Sequence, residues 1–218
     1  MIVAIDGPAA TGKSTSAKLV AQKLGFTYMD TGAMYRCITL SVLRNRIELE
    51  DEKALKLLIQ EMDIRFEKTN GTLVVRLNEE DVSTLIRKPE VTSYVSAVSA
   101  LPQVREHMVN LQRQIAKDQD CVMEGRDIGT IVFPKAEYKF FLIADDTVRA
   151  KRRQLDLQAI GENKTIDELV EEIRRRDAFD SGRFHSPLRK ADDAIEVDTS
   201  KLTIDEQVDF MVNRVKNH

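Results

Sequence analysis

The stretch Gly7-Pro8-Ala9-Ala10-Thr11-Gly12-Lys13-Ser14 sets two glycines ahead of a lysine and a hydroxyl in the pattern G-x-x-x-x-G-K-[ST]. Glycines at both ends let such a loop curl until successive backbone N–H groups point inward at one anion. A helix that starts where the loop ends adds the positive pole of its dipole at the same spot. Lys13 would reach the terminal phosphates of a nucleoside triphosphate, and the Ser14 hydroxyl would ligate a magnesium ion. The residues expected to bind ATP are therefore Gly7 to Ser14 together with Thr15. A chance match is the competing explanation, and only 9 glycines in 218 residues make it the weaker one.

That chemistry needs a strand before the loop and a helix after it. Ile2-Val3-Ala4-Ile5 is short and β-branched enough to be a buried strand, and Ala17, Val20, Ala21 and Leu24 fall at i, i+3, i+4, i+7 on one helical stripe. Gly25 reads as a helix C-cap, and Asp30 or Thr31 as the N-cap of the next helix. Short strands at 26–29 and 194–198 and continuous apolar runs at 121–123 and 138–143 bring the core to five strands, alternating with helical segments. The fold class this predicts is α/β, a doubly wound five-stranded parallel sheet. Ile64-Arg65-Phe66-Glu67-Lys68 breaks the rhythm: it alternates apolar with polar, Asn70-Gly71 is a hairpin signal, and 72–77 runs apolar or alternates again. A small antiparallel β insertion over 63–87 is expected. Val104, Met108, Leu111 and Ile115 stripe a later helix, Thr165 caps another, and Ile204, Val208, Met211, Val212 and Val215 mark the buried face of the last.

Composition narrows the function. Charged residues make up 32% of the chain and the net charge is −3, so no global basic field exists to hold nucleic acid. No apolar run approaches the roughly 20 residues that span a bilayer. Cys37 and Cys121 match no zinc or redox spacing and read as buried thiols of a reducing compartment. His107, His185 and His218 form no cluster and read as solvated. The expectation is a soluble, cytoplasmic protein without nucleic-acid or membrane partners, and a monomer because no exposed apolar seam stands out.

In open parallel sheets, ligands bind beyond the carboxyl ends of the strands. Suspicion therefore falls on Asp6 onward, on residues 30–36 and 124–127, on Asp145, and on residues 198–200. A guanine-specific enzyme would carry N-K-x-D, but in Asn163-Lys164-Thr165-Ile166-Asp167 the carboxylate comes one place late. No D-x-x-G lies between the loop and that point. Phosphoryl transfer to a small acceptor remains.

Three further motifs carry a resemblance. Asp30-Thr31-Gly32-Ala33-Met34-Tyr35-Arg36, Glu124-Gly125-Arg126-Asp127-Ile128-Gly129-Thr130 and Ser186-Pro187-Leu188 resemble the signatures of bacterial cytidylate kinases, as does the antiparallel insertion. The likeness runs over essentially the whole chain, in the family's order. It departs at Thr11, to which no mechanistic role attaches.

The resemblance implies an ATP- and magnesium-dependent kinase for CMP and dCMP. It places Arg36, Arg126 and Arg183 on the acceptor phosphate, Arg152 against the donor nucleotide, Arg176 on transferring phosphates or sugar, and Asp180 on a ribose hydroxyl. Asp127, Arg105 and Ser96 would read cytosine, a carboxylate accepting from the exocyclic amino group while an arginine donates to the ring. Thr31 and Tyr35 complete the implied substrate set, and Lys13, Arg126, Arg176 and Arg183 the catalytic one. Physical chemistry agrees with the emphasis on cations: donor and acceptor are both polyanions, so catalysis is mostly positioning and neutralisation. An internal salt bridge is the competing role for Asp180. The second magnesium carboxylate should end a strand, where Glu124 and Asp145 both qualify and Glu124 is preferred. Arg149, Arg153, Arg174 and Arg175 are read as solvated helix faces. The implied organisation is one P-loop kinase domain over 1–218, with core 1–62, 88–153 and 166–218, acceptor-binding insertion 63–87 and lid 154–165. Two alternatives stay open: a P-loop kinase for another small acceptor, and a nucleotide-binding or RNA-associated module using the cluster between Arg149 and Arg153.

Overall fold

Short β-branched runs become strands and striped segments become helices in the order the periodicity predicts. In the computed structural model, which describes residues 1–69, 72–159 and 161–217, the chain opens with β1 (Ile2–Asp6), α1 (Lys13–Leu24) and β2 (Thr27–Asp30). Then come α2 (Thr31–Asn45), α3 (Glu52–Glu61), β3 (Ile64–Thr69), β4 (Thr72–Leu77), β5 (Glu80–Asp81), α4 (Pro89–Val98) and α5 (Pro102–Ile115). The remainder is β6 (Cys121–Gly125), a π-helical turn at Ile128–Val132, β7 (Tyr138–Ile143), α6 (Asp146–Gln158), α7 (Ile166–Gly182), β8 (Ile195–Asp198) and α8 (Ile204–Lys216). These elements form two compact units, one of Met1–Asp30 with Ile115–His218 and one of Thr31–Gln114.

The first unit is built on a five-stranded sheet in the order β2-β6-β1-β7-β8, every pairing parallel. Val3 and Ile5 of β1, Val122 of β6, Phe140 and Leu142 of β7 and Val197 of β8 pack with Ala17, Val20 and Ala21 of α1 and Val208, Met211, Val212 and Val215 of α8. The valine, isoleucine, leucine, phenylalanine and methionine side chains among these contribute roughly 1.5–3 kcal/mol each when fully buried, which fixes the strand ends where the site must sit. Helix ends are closed locally. Gly25 takes a left-handed φ of 73° and its N–H donates to the Gln22 carbonyl at 3.4 Å. Thr165 with Glu168, and Thr203 with Glu206, form reciprocal capping boxes.

In the second unit α2 buries Ala33, Met34, Cys37 and Ile38 and packs against α4. A separate antiparallel sheet, β3-β4-β5, pairs Ile64 with Leu77 and Phe66 with Val75. The expected Asn70-Gly71 turn lies outside the described residues, as does His218. Pro89 and Pro102 each start a helix, where a missing N–H costs nothing. Cys37 and Cys121 are both buried and in no disulfide.

Candidate active site

β1 ends at Asp6 and the phosphate loop begins at Gly7, whose φ is +146°. A Cβ at Gly7 would lie 2.2 Å from the Leu142 carbonyl oxygen, so no other residue fits there. Gly12, at φ +89°, is the left-handed residue that caps α1. Lys13 is almost wholly buried, and its ammonium donates to the Pro8 carbonyl at 2.5 Å. The Thr11 hydroxyl donates to the same Pro8 oxygen at 3.1 Å and lies 3.4 Å from the Lys13 ammonium. Burial, with Arg126 beside it, pulls the Lys13 pKa down to about 7, while Glu124 and Asp6 oppose that fall.

Beside the lysine stands Glu124, one residue before the end of β6, and beside Glu124 stands Asp30, which ends β2. Glu124 accepts hydrogen bonds from Ser14 and, at 3.0 Å, from the Tyr28 hydroxyl. Burial, and then the neighbouring Asp30, push the Glu124 carboxyl above its usual range. Of the two strand-ending acids, Glu124 is therefore the one at Ser14; Asp145 is exposed. Asp6 is also buried and accepts from the N–H groups of Ile128 and Gly129 at 2.9 and 2.7 Å. Its carboxyl is pushed up to about 7 by burial, against the pull of those two donors.

The arginines divide into groups that the helical pattern does not distinguish. Arg126 donates from Nε to Asp180 at 3.1 Å, and Arg183 donates to the other oxygen of the same carboxylate, so the buried Asp180 joins two of the arginines implied for the acceptor phosphate. The salt-bridge reading of Asp180 thus describes its contacts here. Arg176 adds a like charge that acts on Lys13. Arg152 donates to the Thr199 hydroxyl at 3.0 Å and carbonyl at 2.7 Å, and Thr199 donates to the Thr11 carbonyl at 3.0 Å, which ties Arg152 to the phosphate loop. Arg149 corrects the solvated reading: it is buried, bonded to Asp146 and Asp177, and reaches the Ala9 carbonyl at 3.3 Å. The Ala9 N–H in turn points to Asp177 at 3.4 Å. Arg174 and Arg175 are exposed and Arg153 is half-buried. With Arg149 turned inward, the RNA-associated reading loses its leading cation.

Asp127, also buried, follows Arg126 in the first unit, and the remaining implied residues belong to the second. Thr31 opens α2, Tyr35 and the half-buried Arg36 follow one turn later, and Ser96 is half-buried on α4. Arg105, on α5, is buried with its guanidinium 5.3 Å from the centre of the Tyr35 ring, and it donates to the Ser99 carbonyl at 3.2 Å. A cation held over an aromatic face in this way keeps its direction. His185 is exposed as expected, whereas His107 is half-buried and its pKa is lowered by burial.

A strand, a phosphate-cradling loop and a helix at the heart of a parallel sheet define a P-loop kinase fold. Solved structures sharing it include a shikimate kinase from Bacteroides thetaiotaomicron, with TM-score 0.51 and 14% identity over 100% of this chain and 97% of that one. An uncharacterised protein from Eubacterium ventriosum aligns with TM-score 0.54 and 12% identity over 100% and 99% of the two chains. Such identities speak for the fold alone.

Sequence comparison is more specific. The family model for cytidylate kinase matches residues 3–217. Cytidylate kinase from Syntrophotalea carbinolica is 49% identical over 215 residues, covering 99% of this chain and 92% of that protein. The enzyme of that name from Lactobacillus johnsonii is 53% identical over 208 residues, covering 95% and 90%. The chain belongs to the cytidylate kinase family, enzymes that phosphorylate nucleoside monophosphates.

Proposed function

We propose that this protein moves the terminal phosphoryl group of ATP onto CMP and dCMP by in-line displacement, with arginines neutralising the phosphates. The observation that carries the reading is the gathering of Lys13, Arg126 and Arg176 around one loop, with Arg183 joined to Arg126 through Asp180. The acceptor phosphate, with a second pKa of about 6, is already ionised at neutral pH, so the site needs no general base. What it needs is positive charge that holds two anions at bonding distance, and its cations are held by buried carboxylates rather than free to collapse.

Lys13 and the loop N–H groups of residues 7–15 take the donor phosphates, and Arg152 borders the donor nucleotide. Arg36, Arg126 and Arg183 take the acceptor phosphate, and Arg176 bridges transferring phosphates or sugar. Asp180 accepts a ribose hydroxyl through the lone pairs its arginines leave over. Asp127, Arg105 and Ser96 read cytosine, with Thr31 and Tyr35 lining the acceptor. Magnesium fits the donor set of the Ser14 hydroxyl beside the Glu124 carboxylate; when bound it offsets phosphate charge and orients the donor. Residues 154–165 form a lid that excludes competing water, and the enzyme works as a cytoplasmic monomer.

A coupled assay with CMP, dCMP, UMP, AMP and shikimate as acceptors tests this directly. CMP and dCMP should give the highest kcat/KM; preference for AMP or shikimate would overturn the reading. For the base contact, Asp127→Asn should narrow the gap between CMP and UMP, and an unchanged ratio would remove Asp127 from that role.

A further inference from the structure

Asp6 has no part in the chemistry proposed above, yet few side chains in the first unit are placed so deliberately. It is the last residue of β1, directly before the phosphate loop, and it is only 5% exposed. Its backbone pairs in register with Gly125 of β6, while its carboxylate takes the N–H groups of Ile128 and Gly129. One residue therefore grips the chain on both sides of Arg126 and Asp127. Those two N–H groups open the π-helical turn at Ile128–Val132, whose i→i+5 bonds run from Val132 N–H to the Asp127 carbonyl at 3.2 Å and from Phe133 N–H to the Ile128 carbonyl at 2.7 Å. Single π turns of this kind are rare and frequently occur at functional sites. The nearby Lys139 ammonium is engaged by Asp193 at 2.8 Å and the Pro134 carbonyl at 2.6 Å. Charges acting on Asp6 are Lys13, which attracts it, and Asp127, which repels it.

We propose that Asp6 is a positioning residue for the acceptor: by holding the N–H groups of Ile128 and Gly129 it fixes the turn that aims Arg126 and Asp127, and it fixes it relative to the phosphate loop that it precedes. This rests on the reading of Arg126 and Asp127 as acceptor contacts. A purely structural role would lower stability and leave substrate preference alone.

Asp6→Asn separates the two. The amide keeps one acceptor oxygen but sets an NH2 group against the other backbone donor, leaving one buried N–H without a partner, a loss worth roughly tenfold or more in any equilibrium that depends on it. The expected result is a KM for CMP raised about tenfold and a CMP-over-UMP ratio of kcat/KM reduced several-fold, the rise in the KM for CMP exceeding any change in the KM for ATP. Val3→Ala, in the same strand, is the control for stability loss without displacement of the turn; it should leave both KM values and the ratio unchanged. Gly129→Ala is the second variant, because its Cβ would press within 3.1 Å of Lys139 and 3.4 Å of the Asp6 carboxylate, and it should shift the ratio in the same direction. If Asp6→Asn and Gly129→Ala both keep the parental CMP KM and ratio, or if Val3→Ala reproduces their changes, the proposal is overturned. Asp127→Asn measured alongside tells the failures apart: a lowered ratio there with an unchanged one in Asp6→Asn sinks only the role of Asp6.

Discussion

Two regions of this molecule use the same residue types in opposite surroundings. Around the small antiparallel sheet, Arg44 pairs with Glu80 at 2.6 Å, Arg65 with Glu79 at 2.8 Å and Arg76 with Glu67 at 2.6 Å, all with both partners substantially exposed. Around the phosphate loop the pairs are sunk into the protein: the Asp180 side chain is 2% exposed, and those of Arg149 and Arg183 are 6% and 7%. Solvated pairs gain little over their hydrated separate ions. Buried ones carry a desolvation cost that apolar residues of the same size would avoid. The expensive arrangement coincides with the loop built to hold phosphate, whose ligands would be the natural counter-charges. The comparison teaches that depth of burial, more than the presence of a pair, separates the ion pairs of the two regions.

Substitutions can break that contrast, and the largest effect should come from Lys13. Lys13→Ala should lower kcat by about 10²–10³-fold in steady-state assays, as loss of one preorganised donor does elsewhere. Asp180→Ala leaves two mostly buried arginines facing each other and should destabilise the fold by about 3–5 kcal/mol in denaturant titration. Asp127→Asn should cost about 1–3 kcal/mol of CMP-over-UMP discrimination, read from the kcat/KM ratio.

The pH dependence of Asp6 sharpens the contrast further. Its carboxyl lies at about 7 in the fold against an ordinary value of 3.8, because burial disfavours the charge. The folded protein therefore binds more protons than the unfolded chain between those values, and the stability Asp6 contributes is full below 3.8 and lost as pH rises to about 7. Urea midpoints of the parent relative to Asp6→Asn should accordingly fall over that window and level off above it. Smallest of all, Glu80→Gln should leave the thermal midpoint unchanged, since its partner Arg44 is itself solvated.

Much of the first unit was legible before any coordinates. Short apolar or alternating stretches marked all five parallel strands, and Gly25 and Thr165 announced helix ends through local chemistry that needs no distant partner. The loop's glycine spacing was legible too, although the carbonyl that excludes a side chain at Gly7 belongs to the distant Leu142. What escaped depends on partners far along the chain. Arg149 sits four residues before Arg153 and looks like it in a helical pattern, yet it is buried against Asp177, 28 residues on. The stripe on α5 held Val104 and Met108 as expected, but Arg105 and Gln112 are buried on the same helix, where apolar periodicity cannot see them. Glu124 and Asp145 both end apolar runs, and only the fold shows which one meets Ser14. The turn at Ile128–Val132 gives no signal at all, because its acceptor, Asp6, is 122 residues away from Ile128.

The most direct test sets one arginine from each region against the other. Arg126→Ala and Arg76→Ala remove the same side chain, one bonded to buried Asp180 and one to exposed Glu67. With CMP and ATP saturating, Arg126→Ala should lose on the order of 10³-fold in kcat, the scale of an arginine stabilising phosphoryl transfer, and Arg76→Ala should lose none. Equal rates for the two variants would contradict the account.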